Sequence, residues 1–391
     1  MPDSRPARIL VVDDEADLEL LIRQRFRRQI RANEMDFCFA QNGQDALDVL
    51  REDDAIEVIL TDLNMPVMDG LTLLLRLGEQ DRLLRAVVVS AYGDMDNLRK
   101  AMNRGAFDFV TKPIDFEDLE VTINKTLDLV QDLRQAADTE KQLRTIQHDL
   151  EVARRIQESI IPRTFPAFPD RPEFDLYGDM IPAREVGGDF YDFFLIDDER
   201  LGLVIADVAD KGIAAALFMA VSRTLMRATA MMGGPANECL TQVNDVLSRE
   251  NTNAMFVTLF YAILHARTGQ IQYSDGGHNP PFIVRKDGSV ERIEKVGSVA
   301  LGWMPGVRYP AGSLALSPGD ALFLYTDGVT EAKNPAHELF SETRLADSLA
   351  RTPPTDLQAL VQQVNADVRA HAGTAEQSDD ITILAARYDG A

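Results

Sequence analysis

The sequence predicts three consecutive parts: a doubly wound α/β domain over residues 1–125, a helical linker over 126–161, and an α+β domain over 162–391. Three observations carry this reading. Short apolar runs alternate with helical patterns in the first part. A stretch from 116 to 161 then contains no glycine and no proline. The remainder mixes strands with adjacent helical patterns. A chain of 391 residues also exceeds one ordinary core, since domains run to roughly 150 residues.

In the first part, residues 9–12, 37–40, 58–61, 87–90 and 107–111 read as strands, with helical spacing between them. Units of this kind predict a five-stranded parallel sheet covered on both faces, with working residues at the carboxyl ends of the strands. In the linker, Val130, Leu133 and Ala137 are spaced three and four. Leu143, Ile146, Leu150, Ala153, Gln157 and Ile160 continue the alternation after a phase shift near Glu140. That is a coiled-coil seam, weakened by Ala and Gln, and it predicts a homodimer. The competing reading is a helix lying on its own domains, disfavoured because ordinary helices run about 8–20 residues. After Pro162 a Pro- and Phe-rich loop leads into strands at 201–207, 257–264, 321–325 and 382–387. Helical patterns at 213–231, 236–249 and 356–371 complete an α+β pattern.

Hydrophobic residues make up 45% and charged residues 26%, the composition of a folded globular chain. The formal net charge of −23 repels nucleic acid and anionic membrane, which argues against a DNA-reading output. The arginines of residues 23–31 fall in one helical pattern and read as a solvated face. Cys38 and Cys239 lack metal-ligand spacing and fit a reducing cytosol. The N-terminus reaches the apolar run 9–12 too quickly for a secretory leader. No stretch approaches the ~20 apolar residues of a membrane span, so the expected location is cytoplasmic.

One group of residues gathers on the rim of the parallel sheet. Asp13 and Asp14 follow the first strand, Asp62 the third, Ser90 ends the fourth, and Lys112 ends the fifth. Packed carboxylates repel and call for a divalent cation; all-oxygen ligands suit Mg²⁺. A carboxylate can attack a phosphoryl donor while metal and ammonium absorb the charge. Singly, acids at strand ends are ordinary turn and cap residues. Together, Val-Val-Asp-Asp-Glu, Thr-Asp-Leu-Asn-Met-Pro-Val-Met-Asp-Gly, Val-Ser-Ala and Thr-Lys-Pro resemble the response-regulator receiver family. The resemblance implies a flavodoxin-like fold in which Asp62 accepts the phosphoryl group. Asp13, Asp14, Asp62 and the backbone carbonyl of Asn64 would hold Mg²⁺. Lys112 would pair with the phosphoryl group, and Ser90 would donate to it. Phe109 matches the aromatic switch position; the plain reading is a buried strand aromatic.

A second group is spread through the last part. Val-Gly-Gly-Asp189-Phe-Tyr-Asp, Ile-Ala-Asp207-Val-Ala-Asp-Lys-Gly, Tyr-Thr-Asp327-Gly-Val-Thr-Glu and Ser-Asp379-Asp-Ile-Thr each set an acid within or beside an apolar strand. Unpaired carboxylates are costly there, and convergence would again demand cations. Two hard cations bridged by a carboxylate can activate water for in-line attack on phosphorus. No Ser-His-Asp or Cys-His arrangement competes, and His278 in Gly-Gly-His-Asn-Pro-Pro reads as a turn residue.

These contexts resemble the SpoIIE/RsbU branch of the metal-dependent, type 2C-like (PPM) serine/threonine phosphatases over residues 155–388, as do Ala-Arg-Arg-Ile-Gln-Glu-Ser-Ile-Ile-Pro and Met-Phe-Val-Thr-Leu-Phe-Tyr-Ala. The family fold is a two-sheet β-sandwich flanked by helices with a binuclear site at one edge. Carried over, Asp207 bridges two Mn²⁺ or Mg²⁺ ions, Asp327 and Asp379 complete the first, and Asp189 with the carbonyl of Val208 serves the second. Asp380 is an alternative to Asp379 or a supporting residue. Two positions depart from the family. Asp210 stands where it has glycine, and Ala209 where eukaryotic relatives have a histidine.

The resemblance implies a response regulator with a phosphatase output. Its partners would be a histidine kinase or phosphotransfer protein and a phosphorylated STAS-domain anti-sigma-factor antagonist. The competing class is a catalytically weak adaptor that binds a sigma factor or anti-sigma regulator.

Overall fold

The apolar runs of the first part become a parallel sheet whose central strands are covered on both sides and whose edge strands are covered in part. In the computed structural model, which describes residues 5–80, 82–91, 93–249, 251 and 254–390, the chain divides into two units, Met1–Ile146 and Gln147–Ala391. The opening residues 1–4, used above to argue against a leader, lie outside the described residues.

The first unit runs β1 (Ala7–Val12), α1 (Ala16–Arg25), α2 (Arg27–Arg31), β2 (Met35–Ala40), α3 (Gly43–Glu52), β3 (Ile56–Asp62), α4 (Gly70–Gly78), β4 (Arg85–Ala91), α5 (Met95–Asn103), β5 (Asp108–Lys112) and α6 (Phe116–Ile160). All pairings are parallel, in the order β2-β1-β3-β4-β5. Alternate side chains leave opposite faces of a strand. Leu10, Val12, Ile59 and Val88 therefore enter one core, while Ile9, Val11, Val58 and Val87 enter the other. That is why the strands read as continuous apolar runs. Local signals place the helices. Asn42 caps α3 by accepting from Gln44 and Asp45 N–H, and Asp69 caps α4 by accepting from Thr72 N–H. A Cβ on Gly70 would sit 2.1 Å from the Asp62 carbonyl oxygen, so only glycine lets α4 start against the end of β3.

The helix α6 is continuous through the phase shift near Glu140. Leu119, Ile123 and Val130 are buried in the first unit, and Arg134 pairs with Glu57. Beyond them, Leu143 and Ile146 stand 53% and 57% exposed.

The second unit runs β6 (Phe174–Ile181), β7 (Phe190–Leu195), β8 (Arg200–Val208), α7 (Ile213–Ala230), α8 (Ala236–Arg249), β9 (Val257–His265), β10 (Gln270–Gly276), β11 (Phe282–Val284), β12 (Val290–Arg292), β13 (Gly312–Ala315), β14 (Ala321–Tyr325), α9 (Asp327–Thr330), α10 (Ser341–Arg351), α11 (Leu357–Ala372) and β15 (Ile381–Tyr388). Two antiparallel sheets form, β13-β10-β9-β8-β7 and β12-β11-β14-β15-β6. Leu203, Ile205, Tyr261, Leu324, Leu384 and Leu176 join strands of both in one core. Helices α7 and α8 add Met219, Met226 and Leu240 to that core, and α10 and α11 cover the outer side of the second sheet with Leu345, Leu360 and Val364. Each such large aliphatic contributes about 1.5–3 kcal/mol by burial.

By length and composition α7 could cross a membrane, which the sequence reading had not anticipated. Its Ala215, Met219 and Met226 are packed and its Arg223 is paired with the buried Asp192 at 3.0 Å, while Ile213, Leu217 and Val221 on its other face are exposed.

Candidate functional site

The carboxyl ends of β1, β3 and β5 bring Asp13, Asp62 and Lys112 together. Lys112 Nζ donates to Asp62 Oδ2 at 2.7 Å, Asp13 Oδ2 at 3.0 Å and Glu15 Oε1 at 3.3 Å. Asp13, Asp14 and Asp62 each offer an oxygen within 4.8 Å of the others. Burial raises the Asp13 carboxyl against the lowering effect of its bond to Lys112. Burial works against the Lys112 ammonium, but its bonds to Asp62 and Asp13 more than offset that and raise its pKa. Ser90, fully buried at the end of β4, has a hydroxyl without a hydrogen-bond partner. Asn64, exposed after β3, donates its N–H to Asp62 Oδ1 at 3.3 Å. Phe109 departs from the plain reading: it is 40% exposed on β5, a strand at the edge of the sheet. An acidic rim with a poised ammonium and an unpartnered hydroxyl fits Mg²⁺ and a phosphoryl group.

In the second unit the paired strands bring the other four acids to one end of the sandwich. β7 and β8 are antiparallel with Phe190 opposite Ala206, so Asp189 and Asp207 flank one register step. Asp327 opens α9 directly after β14, and Asp379 precedes β15, the antiparallel neighbour of β14. The electrostatics show the convergence. Burial, then the charge of Asp207, hold the Asp189 carboxyl well above the usual carboxylate range. Burial, then Asp327, push Asp207 up to about 7. Burial, then Asp379, push Asp327 up to about 6. Asp189 is 1% exposed, and its Oδ2 has no hydrogen-bond partner. Crowded oxygen donors, one buried with an orphaned atom and three half-buried, fit hard divalent cations.

The loop before Asp189 is shaped by its glycines and by Asp380. A Cβ on Gly187 would lie 2.4 Å from Asp380 Oδ2, and one on Gly188 would lie 3.0 Å from the Val208 carbonyl oxygen. Asp380, buried, accepts from Ala183 N–H and Gly188 N–H at 2.7 Å each, and from Asp189 N–H at 3.4 Å. Its oxygens thus hold the loop, while Asp379 Oδ2 meets Lys211 Nζ at 2.9 Å. Asp210 has a φ of 76°, the left-handed conformation that favours glycine.

Two further residues were not legible as site residues. Gln157, read above as a seam position, is buried: its amide donates to the Gly187 carbonyl at 2.6 Å and accepts from Gly187 N–H at 3.0 Å. The signal was present as an amide at a buried phase of an otherwise apolar repeat. His278, read as a turn residue, follows β10 but is 1% exposed. Its Nδ1 lies 2.8 Å from Thr258 Oγ1 and its Nε2 3.2 Å from the Tyr325 carbonyl oxygen, while Thr258 Oγ1 also reaches the Asp207 carbonyl at 3.4 Å. Burial depresses its pKa to about 4, so the ring is neutral, with Nε2–H donating to Tyr325.

Residues 9–124 match the response regulator receiver domain, and residues 197–389 match the Stage II sporulation protein E (SpoIIE) family. Protein IcfG of a Synechocystis species is 33% identical over 61% of this chain and 41% of its own length. Phosphoserine phosphatase RsbU of Bacillus subtilis is 31% identical over 48% of this chain and 55% of its own. The chain thus spans about half the length of these curated relatives. Among solved structures, the SiaA-PP2C domain of Pseudomonas aeruginosa superposes with a TM-score of 0.56 over 63% of this chain and 98% of that domain, at 22% identity, a likeness of fold.

Proposed function

The chain joins a response regulator receiver domain to a SpoIIE-type phosphatase domain, and we propose that phosphorylation of Asp62 controls a metal-dependent phosphoserine and phosphothreonine protein phosphatase. The observation that carries the catalytic half is the convergence of Asp189, buried, with Asp207 and Asp327, half-buried, whose carboxyls burial and neighbouring charge raise above the usual carboxylate range, so that cations would relieve their crowding. Asp207 would stand between two Mn²⁺ or Mg²⁺ ions, Asp327 and Asp379 on the first, and Asp189 and the Val208 carbonyl on the second. Bound there, the ions supply Lewis acidity toward the phosphoryl group and activate water for in-line attack. The chain's own residues set the stage. Asp380 and Gln157 fix the 187–189 loop, and His278 ties Thr258, beside Asp207, to the strand that delivers Asp327. With Ala209 next to the site there is no histidine two residues after Asp207 to protonate the leaving group, so solvent takes that role.

In the receiver half, Asp13, Asp14 and the Asn64 carbonyl would hold Mg²⁺ beside Asp62, with Lys112 and Ser90 on the phosphoryl oxygens and Phe109 as the switch. A histidine kinase or phosphotransfer protein supplies the phosphoryl group. The substrate is a phosphorylated STAS-domain anti-sigma-factor antagonist, a reading supported by the likeness to RsbU, itself named a phosphoserine phosphatase. The exposed Leu143 and Ile146 support a homodimer joined along α6, acting in the cytoplasm.

One observation favours the adaptor reading: Lys211 on Asp379 already supplies a cation to one of the four acids. Hydrolysis of phosphoserine in a phosphorylated STAS protein, with Mn²⁺ and then with chelator, separates the two. The proposal expects turnover that chelator abolishes and that changes when acetyl phosphate labels Asp62. A full-length protein inert with every divalent cation, yet binding the STAS protein or a sigma factor, would establish the adaptor.

A further inference from the structure

A groove of about 340 Å³ opens beside the second acidic site, between the segment after α9, the last turns of α11 and the loop into β15. One end is walled by Gly328 and Asp379. Gly328 directly follows Asp327, and a Cβ there would lie 1.9 Å from the Asp380 carbonyl oxygen, so the groove abuts the carboxylate cluster itself. Its floor is apolar, with Val368, Ala372 and Ile381. Lys333 and Arg369 also line it; both are exposed.

Acids outnumber Lys and Arg by 63 to 40, and many arginines of this unit are engaged: Arg285 with Glu291 and Asp320, Arg351 with Asp367, Arg387 with Asp389. Some cations, Arg184, Lys295 and Arg308 among them, are unpaired elsewhere on the unit; Lys333 and Arg369 differ in lining this groove together. Among the described residues, Lys333 and Arg369 have neither an ion pair nor a side-chain hydrogen bond. Part of the Arg369 placement has a simpler cause, since a cation in the last turn of α11 complements the helix dipole. That account does not extend to Lys333, which lies outside any helix at an isolated bridge to Leu339. Glu376 lines the same groove, so the surface is not simply basic. It is an apolar trough with two free cations, opening at a phosphate-hydrolysing site.

We propose that this groove binds the polypeptide flanking the phosphorylated residue of the substrate, with an acidic side chain held between Lys333 and Arg369 and an apolar one on the Val368–Ala372 floor. The inference rests on the phosphatase reading and adds a sequence preference to it. Charge complementarity selects the occupant: a strongly acidic enzyme needs local cations to accept a segment that is itself anionic. The contacts are remote from the reacting phosphorus and equal in ground and transition states, so they set KM and not kcat. An exposed ion pair is worth up to about fivefold in affinity, so the pair of cations would be worth about tenfold or somewhat more.

The test uses full-length protein with Mn²⁺ and three substrates: p-nitrophenyl phosphate, a phosphoserine peptide with glutamates flanking the phosphoserine, and the same peptide with glutamines. Wild type is expected to favour the acidic peptide through KM, a preference that shrinks as salt rises. Lys333→Glu with Arg369→Glu should raise KM for the acidic peptide about tenfold and erase the preference, leaving kcat and p-nitrophenyl phosphate turnover within about twofold. Lys333→Gln with Arg369→Gln should give an intermediate shift, which a general folding defect would not produce. Intact p-nitrophenyl phosphate turnover, with both peptides handled alike by wild type and variants, would overturn the groove inference alone. A wild type inert toward all three substrates would overturn the phosphatase reading and this inference with it.

Discussion

The chain contains two clusters of aspartates, and the difference between them lies in what already surrounds the carboxylates. In the first unit Lys112 reaches Asp13 and Asp62 directly, and Asp14 is exposed. That site is partly neutralised and partly open to water, which fits the exchange of Mg²⁺ and a phosphoryl group. In the second unit Asp189 is buried and Asp207 half-buried at the end of a sandwich; burial and the charge of Asp207 raise Asp189, and burial and the charge of Asp327 raise Asp207. An ammonium bonded to two of the three carboxylates at the first site, against one on Asp379 alone at the second, leaves the same residue type in different electrostatic surroundings.

The sharpest way to break this comparison is to remove one acid from each cluster. Asp62→Asn should abolish labelling by acetyl phosphate and leave the metal-dependent phosphatase chemistry at its unphosphorylated level. Asp207→Ala should abolish hydrolysis and leave labelling intact. Phosphate-affinity electrophoresis and a phosphate-release assay read the two activities from one preparation. Labelling that survives Asp62→Asn would sink the receiver assignment, and hydrolysis that survives Asp207→Ala would sink the bridging role.

The next effect concerns Gln157, where pattern and structure give opposite expectations. As a seam position, Gln157→Leu should strengthen a coiled coil and raise activity. As the partner of Gly187, it is a buried amide whose loss strands one N–H and one carbonyl. Each costs about 1–3 kcal/mol, so Gln157→Leu should destabilise the 187–189 loop and lower hydrolysis at least tenfold at fixed Mn²⁺, partly restored by excess metal. Gln157→Glu keeps the acceptor and should be milder. Activation by Gln157→Leu would return the residue to the seam.

Proton binding sharpens the comparison further. Asp207, at about 7 when folded against 3.8 as its ordinary value, binds its proton more tightly in the folded state. It stabilises the metal-free fold at low pH, and that contribution is lost as pH climbs through 7; Asp327 does the same through about 6. His278 works the other way, its stabilisation present above about 6.5 and lost as pH falls through about 4. The difference between wild type and Asp207→Asn isolates the first term. The variant should melt several degrees higher than wild type at pH 8 in chelator, and at the same temperature near pH 4. Mn²⁺ should raise the wild-type midpoint and move the variant much less. Trp303, the chain's one tryptophan, lies against Phe256 and reports the second unit alone by fluorescence. A difference between the two proteins that does not vary with pH would show that Asp207 is not protonated in the metal-free fold.

How much of this was legible depends on whether a residue's role is local. The edge strands β2 and β5 were readable from shorter runs with half-buried residues, and the central parallel strands β1, β3 and β4 because both faces are largely buried, which leaves apolar runs in them. Strands β8, β9 and β15 were readable for the same reason, whereas β6 alternates buried and half-buried residues and was passed over. α10 was missed because its buried residues, Leu345, Ser348 and Leu349, are few and one is polar. The acids of both sites stood out by context. Their supports did not: Gln157 meets Gly187 across 30 residues, and Asp380 meets Gly188 across 192. A period in the sequence tells that a position is covered, not what covers it.

The smallest expected effect tests the backbone at Asp210, where the resemblance implies glycine. Asp210 adopts a φ of 76° and is exposed two residues before Gly212, in the loop that carries Lys211 to Asp379. A non-glycine residue in that conformation costs about 1 kcal/mol, although aspartate tolerates it better than most. Its Oδ1 accepts from Lys211 N–H at 2.9 Å, which returns part of that cost. Asp210→Gly should therefore stabilise the second unit by no more than about 1 kcal/mol, read as a small rise in the Trp303 denaturation midpoint. Asp210→Ala removes the anion but keeps the Cβ and the strain, so it should destabilise slightly. The pair also separates two effects on hydrolysis. If both variants raise the rate at limiting Mn²⁺, the charge of Asp210 is what restrains the site; if only glycine does, the geometry of the Lys211 loop is the restraint. Variants that leave both rate and midpoint unchanged would show that this departure from the family pattern is neutral.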